Sequence, residues 1–115
     1  MWIYSTDGFI SVVEDKHNPC RFCVRARHKQ HLLNLGISAD QIVGPTEMDH
    51  PHPDYPWRTF QPKVTFVNVL INQVEAINYP DFKTAVKQQA GGRTELEYLH
   101  ALGAIWSISH EFERR

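Results

Sequence analysis

Two short apolar-rich runs lie within residues 2–13 and apolar and polar residues alternate at every second position over 21–27, whereas from residue 65 onward apolar residues recur every three or four positions. A period of two belongs to a strand with one buried face, and a period near 3.6 to a helix with an inward stripe. The change of period along the chain predicts strands first and helices after.

Asp7-Gly8 stands between Trp2-Ile3-Tyr4-Ser5 and Phe9-Ile10-Ser11-Val12-Val13. Asp-Gly supplies the positive φ angles of a tight turn, so the pattern predicts an antiparallel hairpin. A polar turn through residues 15–19 leads by a loop, Asn18-Pro19-Cys20, into a third strand from Arg21 to Arg27. Alternation places Phe22, Val24 and Ala26 on one face and Arg21, Cys23, Arg25 and Arg27 on the other. A short helix from about Arg27 to Leu35 is expected to stop at Gly36.

Residues 37–57 are interrupted by Gly44-Pro45 and by Asp49-His50-Pro51-His52-Pro53-Asp54-Tyr55-Pro56, which predicts a surface loop. Trp57 to Lys63 reads as a fourth strand, with Pro62 marking an edge or an end. Thr65 is a candidate N-cap for a helix whose stripe Val67, Leu70, Ile71, Val74 and Ile77 is expected in the core. Pro80 suits the first turn of another helix with Phe82, Ala85 and Val86 inward, closed by Gly91-Gly92. Thr94 to Glu97 has capping-box spacing, and Leu96, Leu99, Leu102, Gly103 and Trp106, with Phe112 as a further candidate, form the stripe of the last helix. Gly103 is expected to permit close packing. The fold class that results is a two-layer α+β sandwich: an antiparallel sheet of about four strands, hairpin plus meander, with three or four helices on one face.

A length of 115 residues suits one domain, 1–115, able to bury roughly two-thirds of its unfolded surface. The formal charge of −1 argues against a general polyanion binder, although Lys16, Arg21, Arg25, Arg27 and Lys29 make the early chain locally basic. No apolar run approaches the ~20 residues of a membrane span, and Met1-Trp2-Ile3-Tyr4-Ser5 lacks the pattern of a signal peptide, so a cytoplasmic location without membrane association is expected.

Cys20 and Cys23 have the spacing of a zinc knuckle, with His17, His28, His31, His50 and His52 available as further ligands. Strand geometry weighs against that site, because residues three apart on a strand point to opposite faces. A thioredoxin-like role needs the pair at a helix start after a strand, the reverse of this order. Signature motifs for nucleotide loops, zinc proteases and serine hydrolases are absent from the sequence. No cofactor is implied.

Arg25, Arg27 and Arg58 are the stronger candidates, since planar guanidinium groups suit phosphate or carboxylate recognition. Lys63 is a possible neighbour, and Trp2, Tyr4, Tyr55 and Trp57 would supply stacking surfaces if they share the face. The bland alternative is a charged outer sheet face with Arg25 and Arg27 paired to Glu14, Asp15 or Asp54. Tyr98, Trp106 and Phe112 are more aromatic surface than a small core needs, which suggests a homodimer.

Met1-Trp2, the segment Gly8-Phe9-Ile10-Ser11-Val12-Val13, Val24-Arg25-Ala26-Arg27, Tyr55 with Arg58, Asn78-Tyr79-Pro80-Asp81-Phe82-Lys83, Tyr98 and Trp106 together resemble a family of small uncharacterised bacterial proteins. The resemblance implies a single domain with no assigned activity or cofactor. Cys20, Cys23 and the His50–His52 segment depart from that family's pattern. The sequence therefore points to a non-enzymatic binding or adaptor protein that engages a protein or a small anionic ligand through Arg25, Arg27, Tyr55 and Arg58. Single-stranded nucleic-acid binding on the same face is one alternative, and a small zinc protein or enzyme using the Cys/His groups is another.

Overall fold

A computed structural model describes residues 1–45, 54–89 and 93–114, with the side chains of 93–95 not described. The fold is two-layer α+β. Strands β1 (Trp2–Ser5), β2 (Gly8–Asp15), β3 (Asn18–Ala26) and β4 (Trp57–Pro62) form one antiparallel sheet in the order β1-β2-β3-β4. Helix α1 (Lys29–Leu33) follows β3 and α2 (Lys63–Glu75) follows β4, and α3 (Phe82–Gln89) and α4 (Arg93–Glu113) come after α2. The chain forms two compact units, Met1–Ile77 and Asn78–Arg115.

In the first unit the register explains the layering. Val12 faces Val24 and Val24 faces Thr59, while Ala26 faces Trp57, so one sheet face presents Ile10, Val12, Phe22, Val24, Ala26 and Trp57. Leu32 of α1 and Phe66 of α2 close over that face, joined by Ile37 and Ile42. Burying a side chain of this size contributes roughly 1.5–3 kcal/mol relative to leaving it in water. The polar pair on the same face is internally satisfied, with Gln61 Nε2 donating to Thr59 Oγ1 at 2.8 Å.

Ser5 pairs with Gly8, so the two-residue turn is Thr6-Asp7, and the positive φ belongs to Gly8 alone, at 135°. The glycine is needed for space as well. A Cβ on Gly8 would stand 2.2 Å from Cγ of His31, whose buried ring accepts the Phe9 N–H at Nδ1 over 3.2 Å. That N–H points to where the β2–β3 register would place Arg27, but β3 has ended at Ala26, and the imidazole takes the vacant acceptor role.

Several expectations are corrected. The third strand begins at Asn18 and not at Arg21, because Asp15 pairs directly with Asn18 across the turn and a bulge absorbs the extra residues; Arg27 lies beyond its end. The first helix is short, and its Gly36 (φ 87°) donates its N–H to the Leu33 carbonyl at 2.9 Å. The segment after it is not all surface: Ile37, Ile42 and Tyr55 are buried, and Val43 exchanges two backbone hydrogen bonds with Arg58 at 2.7 and 3.0 Å. Helix α2 starts at Lys63, which puts Thr65 inside its first turn and not at the cap.

The stripe of α2 is rotated from expectation. Phe66 is 1% exposed and Val69 and Leu70 pack beside it, whereas Val67, Ile71, Val74 and Ile77 face outward. In the second unit Ala85 and Val86 of α3 and Leu102 of α4 are buried as expected, and Tyr98, expected as surplus aromatic surface, is buried as well. Leu96, Trp106 and Phe112 are exposed, contrary to their place in the predicted stripe. Helix α4 begins at Arg93, so Thr94 is not its cap, and among the described residues nothing lies within 4 Å of where a Gly103 Cβ would be. Gly91-Gly92 lies outside the described residues.

Candidate functional site

The sheet face opposite α1 and α2 is a ladder of cross-strand rows. Trp2 pairs with Ser11, Ser11 with Arg25 and Arg25 with Arg58, which makes one continuous row across all four strands. The neighbouring row on one side begins with Tyr4 opposite Phe9, and on the other Val13 faces Cys23 and Cys23 faces Phe60. Directly opposed side chains in such a sheet have Cβ atoms ≈ 4.5–5.5 Å apart, close enough for two arginines to repel each other unless something negative lies between them.

Arg25 is held in place without a carboxylate. Its Nη2 donates to Ser11 Oγ at 2.7 Å, and its guanidinium carbon lies 4.6 Å from the centroid of the Tyr55 ring. Arg58 Nε donates to the Tyr55 carbonyl at 3.4 Å, and the Arg58 backbone gives both its N–H and its carbonyl to Val43, with Arg25 as its ladder partner on the other side. Arg27 joins from beyond the strand end, 5.6 Å from the Tyr55 centroid, with its Nε donating to the Asp54 carbonyl at 3.2 Å. Arg25, Arg27, Tyr55 and Arg58 are therefore brought together, with buried Tyr55 at their centre. What they do is a separate question.

Two N–H groups in this cluster are unspent. Arg25 Nε and Arg58 Nη2 are buried and have no hydrogen-bond partner among the described residues. Leaving a buried charged donor unmet costs ~1–3 kcal/mol or more, so such groups are uncommon away from ligand sites. The expected pairing of Arg25 and Arg27 with Glu14, Asp15 or Asp54 carboxylates is not what the residues do. Asp15 binds Arg21 instead, at 2.6 Å, and Glu14 binds Lys63 at 2.6 Å. Lys63 is also on the other side of the sheet, over Phe22, and Trp57 packs against the core, so neither joins the arginine face.

Register also assigns residues that alternation alone had left without a role. Phe9 stacks on Tyr4 with centroids 4.5 Å apart and planes 11° from parallel, meets Trp2 edge-on at 6.2 Å, and lies 5.9 Å from the Arg27 guanidinium. Ser11 is 1% exposed and fixes Arg25. The signal for both was the hairpin: once Ser5 faces Gly8, Tyr4 must face Phe9 and Trp2 must face Ser11. Burial, and next the adjacent Tyr55 phenol, raise the Tyr4 phenol above its ordinary value, with Arg27 pulling against them. Burial likewise pushes the Cys23 thiol up, more than the nearby Arg58 and Arg25 charges lower it.

The cysteines do not act as a pair: Cys23 is buried in the sheet, Cys20 is exposed, and both are free thiols. Among the described residues no group of three or more His, Cys, Asp and Glu side chains converges, which gives the zinc alternative no support. His50 and His52 lie outside the described residues. Among the described residues no helix is long and apolar enough to cross a membrane. No protein-family model, curated protein or solved structure matches this chain.

Proposed function

We propose that this protein is a non-enzymatic binding protein that takes a compact anionic group, carried by a small ligand or by a partner protein, between Arg25 and Arg58. The observation that supports this reading most is that the two arginines face each other across β3 and β4 with Arg25 Nε and Arg58 Nη2 buried and, among the described residues, unpartnered. An anion between them would meet both donors and cancel a like-charge contact at once. Tyr55 orients Arg25 through its ring and Arg58 through its carbonyl, and Arg27 adds positive charge at the rim. The backbone holds all four in advance, which reduces the entropy lost on binding. The resemblance to a family without an assigned activity adds no substrate to this reading.

Calorimetric titration of the full chain with inorganic phosphate at low ionic strength tests it. One-to-one binding is expected, lost in Arg25→Met and in Arg58→Met, with far-ultraviolet dichroism confirming that each variant folds. Binding of equal strength in the two variants, or none by the parent protein at millimolar phosphate, overturns the reading.

A further inference from the structure

Trp2 is the outermost member of the same row that contains the two arginines, and it is 66% exposed. An indole left in water forgoes a large hydrophobic gain, and tryptophan repays exposure chiefly when something flat lies against it. Its contact with Phe9 is T-shaped, at 86° between planes. Whichever ring presents its edge, Phe9 leaves at least one indole face uncovered. Phe9 is itself fixed by stacking on Tyr4, so the indole is braced on one side and open on another.

We infer that the anion is the phosphate of a nucleotide whose base stacks on Trp2. This rests on reading Arg25 and Arg58 as an anion site. The row orders the groups as such a ligand needs them: an exposed aromatic surface at Trp2, the small side chain of Ser11 next, and the arginine pair beyond. Ser11 matters through its size and its occupation. It is buried, and Arg25 Nη2 reaches its oxygen at 2.7 Å, so the Arg25 guanidinium lies over the middle of the row, toward Trp2. A base and a phosphate joined through one sugar reach from the Trp2 ring to that guanidinium, whereas a bare anion uses only one end of the row. Aromatic side chains on a sheet face, flanked by arginines, bind bases with little preference among them, because every base has a π-face. The net charge of −1 on the whole chain fits a single nucleotide unit better than a long polyanion, whose affinity is built from many phosphate contacts.

Parallel calorimetric titrations of the full chain with adenosine monophosphate, adenosine, phenyl phosphate and inorganic phosphate decide the matter. The monophosphate should bind at least about ten-fold more tightly than inorganic phosphate, the gain from one stacked base. Trp2→Ala should remove that gain while leaving inorganic phosphate binding unchanged, and Trp2→Phe should restore part of it. A 5′-phosphorylated trinucleotide separates a free nucleotide from the end of a strand as the source. Equal affinity for monophosphate and inorganic phosphate, or insensitivity to Trp2→Ala, overturns the nucleotide inference and leaves the anion site standing. Tighter binding of phenyl phosphate than of the nucleotide overturns it in favour of a phosphorylated aromatic side chain. Adenosine binding as well as the monophosphate removes the anion site too, and so does the absence of binding by every phosphate compound.

Discussion

Arg25 of β3 stands directly opposite Arg58 of β4, and each keeps one buried nitrogen without a hydrogen-bond partner among the described residues. Like charges opposed across a sheet destabilise it by ~0.2–1 kcal/mol, and the unmet donors add to that cost. Removing one arginine should therefore raise stability while abolishing anion binding, the usual relation between a site and the fold that tolerates it. Arg58→Met is expected to unfold at a denaturant concentration equal to or higher than that of the parent. Phosphate at constant ionic strength should raise the thermal midpoint of the parent protein and leave that of Arg58→Met unmoved. A variant that is clearly less stable, with an unchanged phosphate response, would contradict both expectations.

Gly8 lies hard against His31, closer than Gly44 lies to Trp57. Any side chain at residue 8 would need the positive φ of 135° and would collide with a buried ring whose Nδ1 is held by the Phe9 N–H. Gly8→Ala should cost about 2–4 kcal/mol, combining backbone strain with overpacking. Urea denaturation measures it. In a His31→Ala background the collision is gone, so the cost of Gly8→Ala should shrink toward that of the backbone alone. Equal costs in both backgrounds would show that the ring gives way easily.

The sheet and its arginine face were readable because a period of two admits few alternatives. Phe22, Val24 and Ala26 must lie together if any one of them is buried, and Arg25 must then face away with Arg58 opposite it on an antiparallel neighbour. What alternation does not reveal is which carboxylates are nearby. Asp15 looked as available to Arg25 as to Arg21, and only the bulge beside it, with Asn18 paired back to Asp15, decides for Arg21. Whether Trp57 shares the arginine face is likewise left open by alternation, and its register with Ala26 turns it to the core. Arg27 was placed on the strand, but the strand ends one residue earlier and His31 fills the vacated position. Exposure of Trp2 follows from β1 being an edge strand, which no local pattern states.

Acid should act through Asp15. Its carboxylate accepts the His17 N–H at 3.0 Å and two bonds from Arg21, and these hold its pKa below the ordinary carboxylate range. A carboxyl whose pKa is lower when folded adds stability that is fully present above the unfolded value of about 3.9 and disappears as pH falls through the folded one. Chemical denaturation between pH 5 and about pH 2 should show stability falling with pH in the parent protein. In Asp15→Asn the slope should be shallower over that interval, with lower stability at neutral pH. Parallel pH profiles for the two proteins would remove Asp15 from the account.

Cys20 and Cys23 should differ sharply as nucleophiles. The thiolate is the reactive form, Cys23 is buried with its pKa raised, and Cys20 is exposed at the start of β3. Iodoacetamide near pH 7.5 should add one group to the native protein, at Cys20, and a second only in denaturant. Peptide mass spectrometry assigns the positions. Prompt labelling of both in the native state would mean that this part of the sheet opens readily.

Helix α2 is where pattern and structure disagree most, and the reason is that the helix is apolar on more than one side. Val64, Phe66, Val67, Val69, Leu70, Ile71 and Val74 leave two overlapping stripes, Phe66-Val69-Leu70 and Val67-Leu70-Ile71-Val74, both with helical spacing. The sheet selects between them by shape: Phe66 fits edge-on against Phe22, with centroids 6.1 Å apart, and fills the core between the strands and Leu32. Val74, at the other stripe's end, is 66% exposed. Phe66→Ala should therefore cost ~3–5 kcal/mol, enough to threaten folding of a domain this size. Val74→Lys should change stability by no more than about 0.5 kcal/mol. Ile71→Lys is the stricter test, since a charge there is tolerated only if that side of α2 meets water. Denaturant midpoints that fall steeply for the two lysine variants and hardly at all for Phe66→Ala would place the helix in the other of its two orientations.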